Sequence, residues 1–207
     1  MTKREITSFV WNNLQKFDKT NKYHPVVIEM AITLAFNQGY TEVFEKDPRR
    51  LDNFTVSYGE TGDTLLTELN ADGNLMYEVL LPVSYVPLND KASGVRHVFT
   101  LAKSSTKFYP MYKYELDIAD NTLMGEIDNR IGYCVRQTKL EFYRMTGVTS
   151  IRIDVVQPFT SYNATDDINI PFGNDQKLMD MVIEKLRGLP LVDLKDDNSD
   201  KKLWPTR

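Results

Sequence analysis

Between Pro25 and Pro48 the chain has no other proline, and the first half of that interval is apolar at almost every position. Val26, Val27, Ile28, Met30, Ala31, Ile32, Leu34, Ala35 and Phe36 are followed by Tyr40, Val43 and Phe44. Proline is tolerated at a first helical position because that N–H has no intrahelical partner. Asp47-Pro48 then stops the helix, since the residue before a proline avoids the α region. Apolarity on nearly every face predicts a core helix surrounded by other elements. Gly39 is its weak point, costing about 1 kcal/mol relative to alanine. Upstream, Thr2-Lys3-Arg4-Glu5 has the spacing of a capping box. Ile6, Phe9, Val10, Leu14 and Phe17 follow as a helical stripe. The short polar link from Asp18 to Lys22 predicts an antiparallel helical pair, with Tyr23 and His24 at its corner.

After Pro48 the period changes. Phe54 to Tyr58 alternates in β-type residues, and Gly59 to Asp63 is a turn cluster. Leu65 to Leu69 is ambiguous, and Ala71-Asp72-Gly73-Asn74 is a turn. Tyr77 to Leu81 and Val95 to Leu101 predict strands, and Pro82 and Pro87 confine the continuation of the first to an edge. Lys107 to Met111 predicts a further short pairing, and Tyr112 to Ala119 a helical turn. Tyr133 to Val135 and Leu140 to Phe142 flank a polar turn, a hairpin pattern. Ile151, Ile153 and Val155 alternate with Arg152 and Asp154, which predicts a half-buried strand ended by Pro158. Asn174 or Asp175 caps a last helix whose buried face is Leu178, Met181, Val182 and Leu186. Gly188 and Pro190 close it.

The fold class is therefore α+β: an N-terminal helical pair packed on an antiparallel β-sheet or sandwich, then a C-terminal helix and an extended C-terminal arm. Residues 1–190 are expected to form one domain, with 1–48 the helical pair, 49–170 mainly β and 171–190 the last helix. Residues 191–207 form the arm.

Composition narrows function more than it names it. The 207 residues carry a formal net charge of -4, and no basic stripe of the kind that wraps nucleic acid stands out. The single cysteine, Cys134, forms no internal disulfide and suits a reducing compartment. Residues 1 to 30 hold no run like a signal-peptide core. No apolar run approaches the ~20 residues of a membrane span, so no membrane partner is expected.

Candidate chemistry is sparse. His24 reads as a helix-corner residue, His97 as a strand residue and Cys134 as a small buried hydrophobe. Gly59-Glu60-Thr61-Gly62 lacks the length and the Lys-Ser/Thr of a phosphate-binding loop. Asp196, Asn198 and Asp200 alternate faintly like a calcium loop, but Lys201 stands where glycine is obligatory. Asp166-Asp167 reads as a loop pair. Arg49-Arg50 serves the C-terminal dipole of the preceding helix more simply than it serves phosphate. Asn53 and Asn163 open glycosylation sequons that carry no weight without a secretory signal. No catalytic, cofactor-binding or metal-binding residue is expected, and no cofactor. The arm is the informative part. Seventeen mostly polar residues, 191–207, carry an apolar Leu203, Trp204 and Pro205 near their end. Tryptophan is enriched at interface anchor points, so this trio is the candidate subunit-contact arm.

Two segments carry a family resemblance. Tyr23-His24-Pro25-Val26-Val27-Ile28-Glu29 with Lys46-Asp47-Pro48-Arg49 is one. Ile151 to Val156, Pro158-Phe159, and Ile168-Asn169-Ile170-Pro171-Phe172-Gly173-Asn174-Asp175 is the other, completed by Leu189-Pro190 and Asp196-Asp197-Asn198. Together they resemble the head–tail connector ring proteins of crAss-like tailed bacteriophages. The likeness covers both ends and the stretch from Phe54 to Asn129 poorly. The layout is also distantly similar to adaptor proteins below the portal of other short-tailed phages.

The resemblance implies a non-enzymatic virion structural protein, an adaptor ring of about twelve copies closed by heterologous contacts. It implies the portal protein on one side, tail or further ring proteins on the other, and DNA passing through the bore without sequence-specific binding. It places the protein in the neck and tail region of the virion, assembled in the host cytoplasm. The alternatives are another tail or baseplate component, or, in a different class, a DNA-packaging accessory protein.

Overall fold

The structure is a computed structural model. It describes residues 1–17, 23–59, 66–69, 75–100, 108–115, 132–143, 150–171 and 173–188. The architecture is α+β, and the chain divides into two compact units, residues 1–39 with 162–207 and residues 40–161.

The first unit holds α1 (Lys3–Phe17), the first part of α2 (Pro25–Lys46) and α3 (Asp175–Gly188). The Thr2/Glu5 capping box forms: Thr2 N donates to Glu5 Oε2 at 2.8 Å and Glu5 N to Thr2 Oγ1 at 3.2 Å. The next orphan donors of α1 find loop carbonyls, Lys3 N on Asp166 O and Arg4 N on Ala164 O. Ile6, Val10 and Leu14 are buried as the stripe requires. His24 caps α2, its carbonyl accepting from Val27 N and Ile28 N and its Nδ1 from Val26 N. Asn174 caps α3 by accepting from Lys177 N at 2.8 Å. Leu178, Met181, Val182 and Leu186 form the buried face of α3, which contacts α2.

Two expectations change here. Lys3 Nζ lies 2.9 Å from Glu29 Oε1, so α1 and α2 meet near their starts. An antiparallel pair would set Lys3 against the far end of α2, because α1 spans about 22 Å. Nor is α2 enclosed on all sides. Ile28, Ala31, Ile32, Ala35 and Phe36 are fully buried, while Val26, Met30 and Leu34 are 64%, 52% and 37% exposed. The i, i+4, i+8 spacing puts those three in one row.

The second unit begins with the end of α2. A 3-10 helix, Pro48–Phe54, follows it, with the Asp47 side chain accepting from Arg49 N as its N-cap. Phe54, expected to open a strand pattern, instead closes this helix; the Asp-Pro cap explains the helical turns. Among the described residues, eight strands form two sheets. The first is β1 (Val56–Tyr58), β8 (Ile151–Val155) and β4 (Val95–Thr100), in that order and antiparallel throughout. The second runs β2 (Leu66–Leu69), β3 (Leu75–Leu80), β7 (Lys139–Tyr143), β6 (Gly132–Arg136), β5 (Tyr109–Pro110). Its outer pair, β5 with β6, is parallel rather than antiparallel. Within the ambiguous Leu65 to Leu69 stretch, Leu66–Leu69 is a strand, and β6–β7 is the expected hairpin.

The sheets share one core. Val95, Val98, Ile151, Ile153 and Val155 from the first cluster with Tyr133, Leu140 and Phe142 from the second, and with Phe108. Phe108 meets Phe142 edge-on at 5.7 Å between ring centres. Two glycines permit close backbone approach. Gly59 adopts φ +84°, and a Cβ there would lie 2.3 Å from Ile151 O; one on Gly94 would lie 2.5 Å from Val86 O. The arm residues Leu203, Trp204 and Pro205, the faint calcium-like Asp196–Asp200 run and most of the Gly59–Asp63 turn lie outside the described residues.

Candidate functional site

The first place to look for chemistry is the outer face of the three-stranded sheet. Strand register sets Ser57 opposite Asp154, and Asp154 opposite His97. A serine, an aspartate and a histidine in one row invite a nucleophile reading. The contacts refuse it. Ser57 Oγ donates to Asp154 Oδ1 at 2.7 Å and accepts from Arg152 Nη2 at 2.9 Å, while Arg152 Nε holds the same Asp154 oxygen at 3.2 Å. His97 Nε2 turns instead to Asp52 Oδ2 at 3.2 Å. Its Nδ1 is buried and has no hydrogen-bond partner among the described residues. An activated serine needs its base within hydrogen-bond reach, and here an arginine occupies that position.

The neighbouring contacts explain the row as structure. Arg96, whose side chain is 11% exposed, ties three segments together. It reaches Pro48 O at 3.1 Å, Asp52 Oδ1 at 3.4 Å and Asp90 Oδ2 at 3.7 Å, and its guanidinium lies over the Phe44 ring. Tyr133 donates to Val95 O at 3.4 Å, and burial pushes its phenol far above the ordinary range. Cys134 is buried, as a small hydrophobe would be. Asp166 and Asp167 point to different partners: Asp166 accepts from Asn163, and Asp167 faces the N-terminal amine at 3.9 Å. Arg49 stays 95% exposed beside Asp47.

A cleft of about 520 Å³ is lined by Leu81, Pro82, Val83, Ser84, Tyr85, Pro87, Gln137 and Thr138. Its lining carries no carboxylate, imidazole or thiol; its one titratable side chain is Tyr85, whose phenol burial pushes above its ordinary value. Among the described residues no group of three or more His, Cys, Asp or Glu is arranged to hold a metal ion, and no helix is long and apolar enough to cross a membrane.

What remains are surfaces. Among the described residues, large exposed apolar and aromatic side chains fall mainly into two sets, one on each unit. The first is the α2 row of Val26, Met30 and Leu34. The second comprises Tyr109, Tyr112 and Tyr114, 42%, 45% and 60% exposed. Tyr112 and Tyr114 stack at 5.5 Å with 12° between their planes. Lys91 Nζ sits 4.9 Å over the Tyr112 ring and pairs with Glu115, whose Oε2 also accepts from Tyr112 N at 2.9 Å. A single helical turn, 113–115, carries Tyr114 and Glu115 and begins directly after Tyr112. Sequence reasoning named neither set. The signal for the first was the row at i, i+4, i+8; for the second it was two tyrosines either side of Lys113.

The sequence matches no protein-family model and no curated protein.

Proposed function

We propose that this chain is a non-enzymatic structural protein of a tailed-phage virion, an adaptor ring between portal and tail through whose bore DNA passes. One observation carries the association: two exposed patches of different character, an aliphatic helix row on one unit and a tyrosine cluster on the other. A ring of identical subunits needs heterologous contacts, in which one patch of each copy meets a different patch of the next. Tyrosine is also among the residues enriched in interface cores and hot spots. The position between portal and tail rests on the resemblance of residues 23–29, 46–49 and 168–175 to connector ring proteins. A net charge of -4 suits a bore that lets phosphate slide past rather than bind.

The test is the mass of the purified chain in solution, alone and mixed with portal protein. A closed oligomer, or one that closes on the portal, is the expected result. A strict monomer that never associates with portal protein overturns the reading.

A further inference from the structure

We infer that the exposed row of α2 is the seat of the chain's own C-terminal segment, with Leu203, Trp204 and Pro205 as the anchor. Which copy supplies the segment rests on the ring reading above: in a ring it is the neighbour's.

The row itself is small. Val26, Met30 and Leu34 span about 12 Å along one side of a helix whose opposite side is wholly buried. Three large aliphatics in line are more than scattered surface hydrophobes, yet too few for a domain-sized interface. A short peptide with one bulky anchor matches that size, since a tryptophan alone buries roughly 150–250 Å².

The chain has such a peptide within reach. α3 ends at Gly188, in the same unit as the row. Residues 189–207 follow, enough to span about 60 Å when extended. Charge matches as well. From Lys201 to Arg207 the segment has Lys201, Lys202 and Arg207 and no acidic side chain. Along the row, between Pro25 and Asn37, α2 has one charged side chain, Glu29, and no basic one. Glu29 immediately precedes Met30, and its side chain remains 40% exposed while paired with Lys3. An apolar anchor flanked by cations therefore meets an apolar row with a carboxylate beside it.

Trp204 is its own reporter. The chain has two tryptophans, so Trp11→Phe in the full-length chain leaves Trp204 alone. Its emission maximum and its quenching by acrylamide are measured in that background and again with Met30→Lys or Val26→Asp added. Both added changes are at exposed positions, and circular dichroism checks the helices. The expected result is a blue-shifted, shielded Trp204 that either row substitution opens to quenching several-fold.

Two results overturn the inference: a Trp204 already as accessible as in urea, or a shielded Trp204 that neither substitution releases. Mass measured on the same samples separates the two readings. A shielded, row-dependent Trp204 in a strict monomer keeps the segment on α2 and defeats the ring. A closed oligomer with an open Trp204 does the reverse.

Discussion

Lys91 Nζ touches both carboxylate oxygens of Glu115, at 2.6 and 2.9 Å, and lies over the ring of Tyr112. This pair anchors the tyrosine patch to the loop before β4. Lys91 holds the Glu115 carboxyl below its ordinary value of 4.5, with help from the Tyr112 amide; Glu115 in turn raises Lys91 above 10.5. The signs follow. Stability from Glu115 is present above the unfolded value near 4.5 and is lost as pH falls through the lower folded value. Stability from Lys91 is present below 10.5 and lost as pH rises through the higher folded one. Anchoring is therefore full across the neutral range and weakens at both extremes. Glu115→Gln is expected to speed hydrogen exchange of residues 109–115 at pH 7 while leaving α1 and α3 unchanged. Equal protection in the variant and the parent would show that the pair holds nothing in place.

The capping box gives a second, simpler test. Thr2→Ala removes the acceptor of the Glu5 amide and is expected to cost about 1 kcal/mol. In a chain of this size that lowers the melting temperature by about 2–4 °C. Thr2→Ser keeps the hydroxyl and should restore most of the loss. An unchanged melting temperature in Thr2→Ala would mean that the loop carbonyls of Ala164 and Asp166 already satisfy this helix end.

The two tight glycines separate sterics from backbone conformation. Gly94→Ala meets the backbone of Val86, and only Gly59→Ala adds a left-handed φ to a clash with Ile151 O. A non-glycine residue in such a conformation costs about 1–3 kcal/mol before the clash is counted. Both variants should lose stability in urea titrations, Gly59→Ala more. Replacing Gly173, which has φ +77° but open space around it, should lose less than either. A Gly173→Ala as damaging as Gly59→Ala would show that conformation, not overlap, dominates.

The fold was legible wherever one local signal sufficed. Thr2 with Glu5, Pro25, the Ile151–Val155 alternation and Asn174 each announce an element through the chemistry of a few adjacent residues, and each element is there. The 3-10 helix after Asp47 was missed because its cap is the same Asp-Pro that ends α2 and its last residue, Phe54, reads as the start of a strand. The meeting of α1 and α2 near their starts was missed because linker length does not fix direction; the Lys3–Glu29 contact is visible only in space. The open side of α2 was missed because an all-apolar helix looks enclosed from its sequence. The Tyr112–Tyr114 stack depends on Lys91 and Glu115, twenty-four positions apart, a distance across which no periodicity speaks.

The row of Ser57, Asp154 and His97 has a consequence for how the three-stranded sheet finds itself. Val56 and Tyr58 lie opposite Val155 and Ile153, on the side that the core covers, and Ser57 lies on the other. Sliding β1 by one residue along β8 would press the serine into the core and turn the flanking Val56 and Tyr58 outward. It would also strip Asp154 and Arg152 of the hydroxyl that sits between them. The polar row thus works as an alignment key that adds hydrogen-bonding loss to the hydrophobic cost of the same slip.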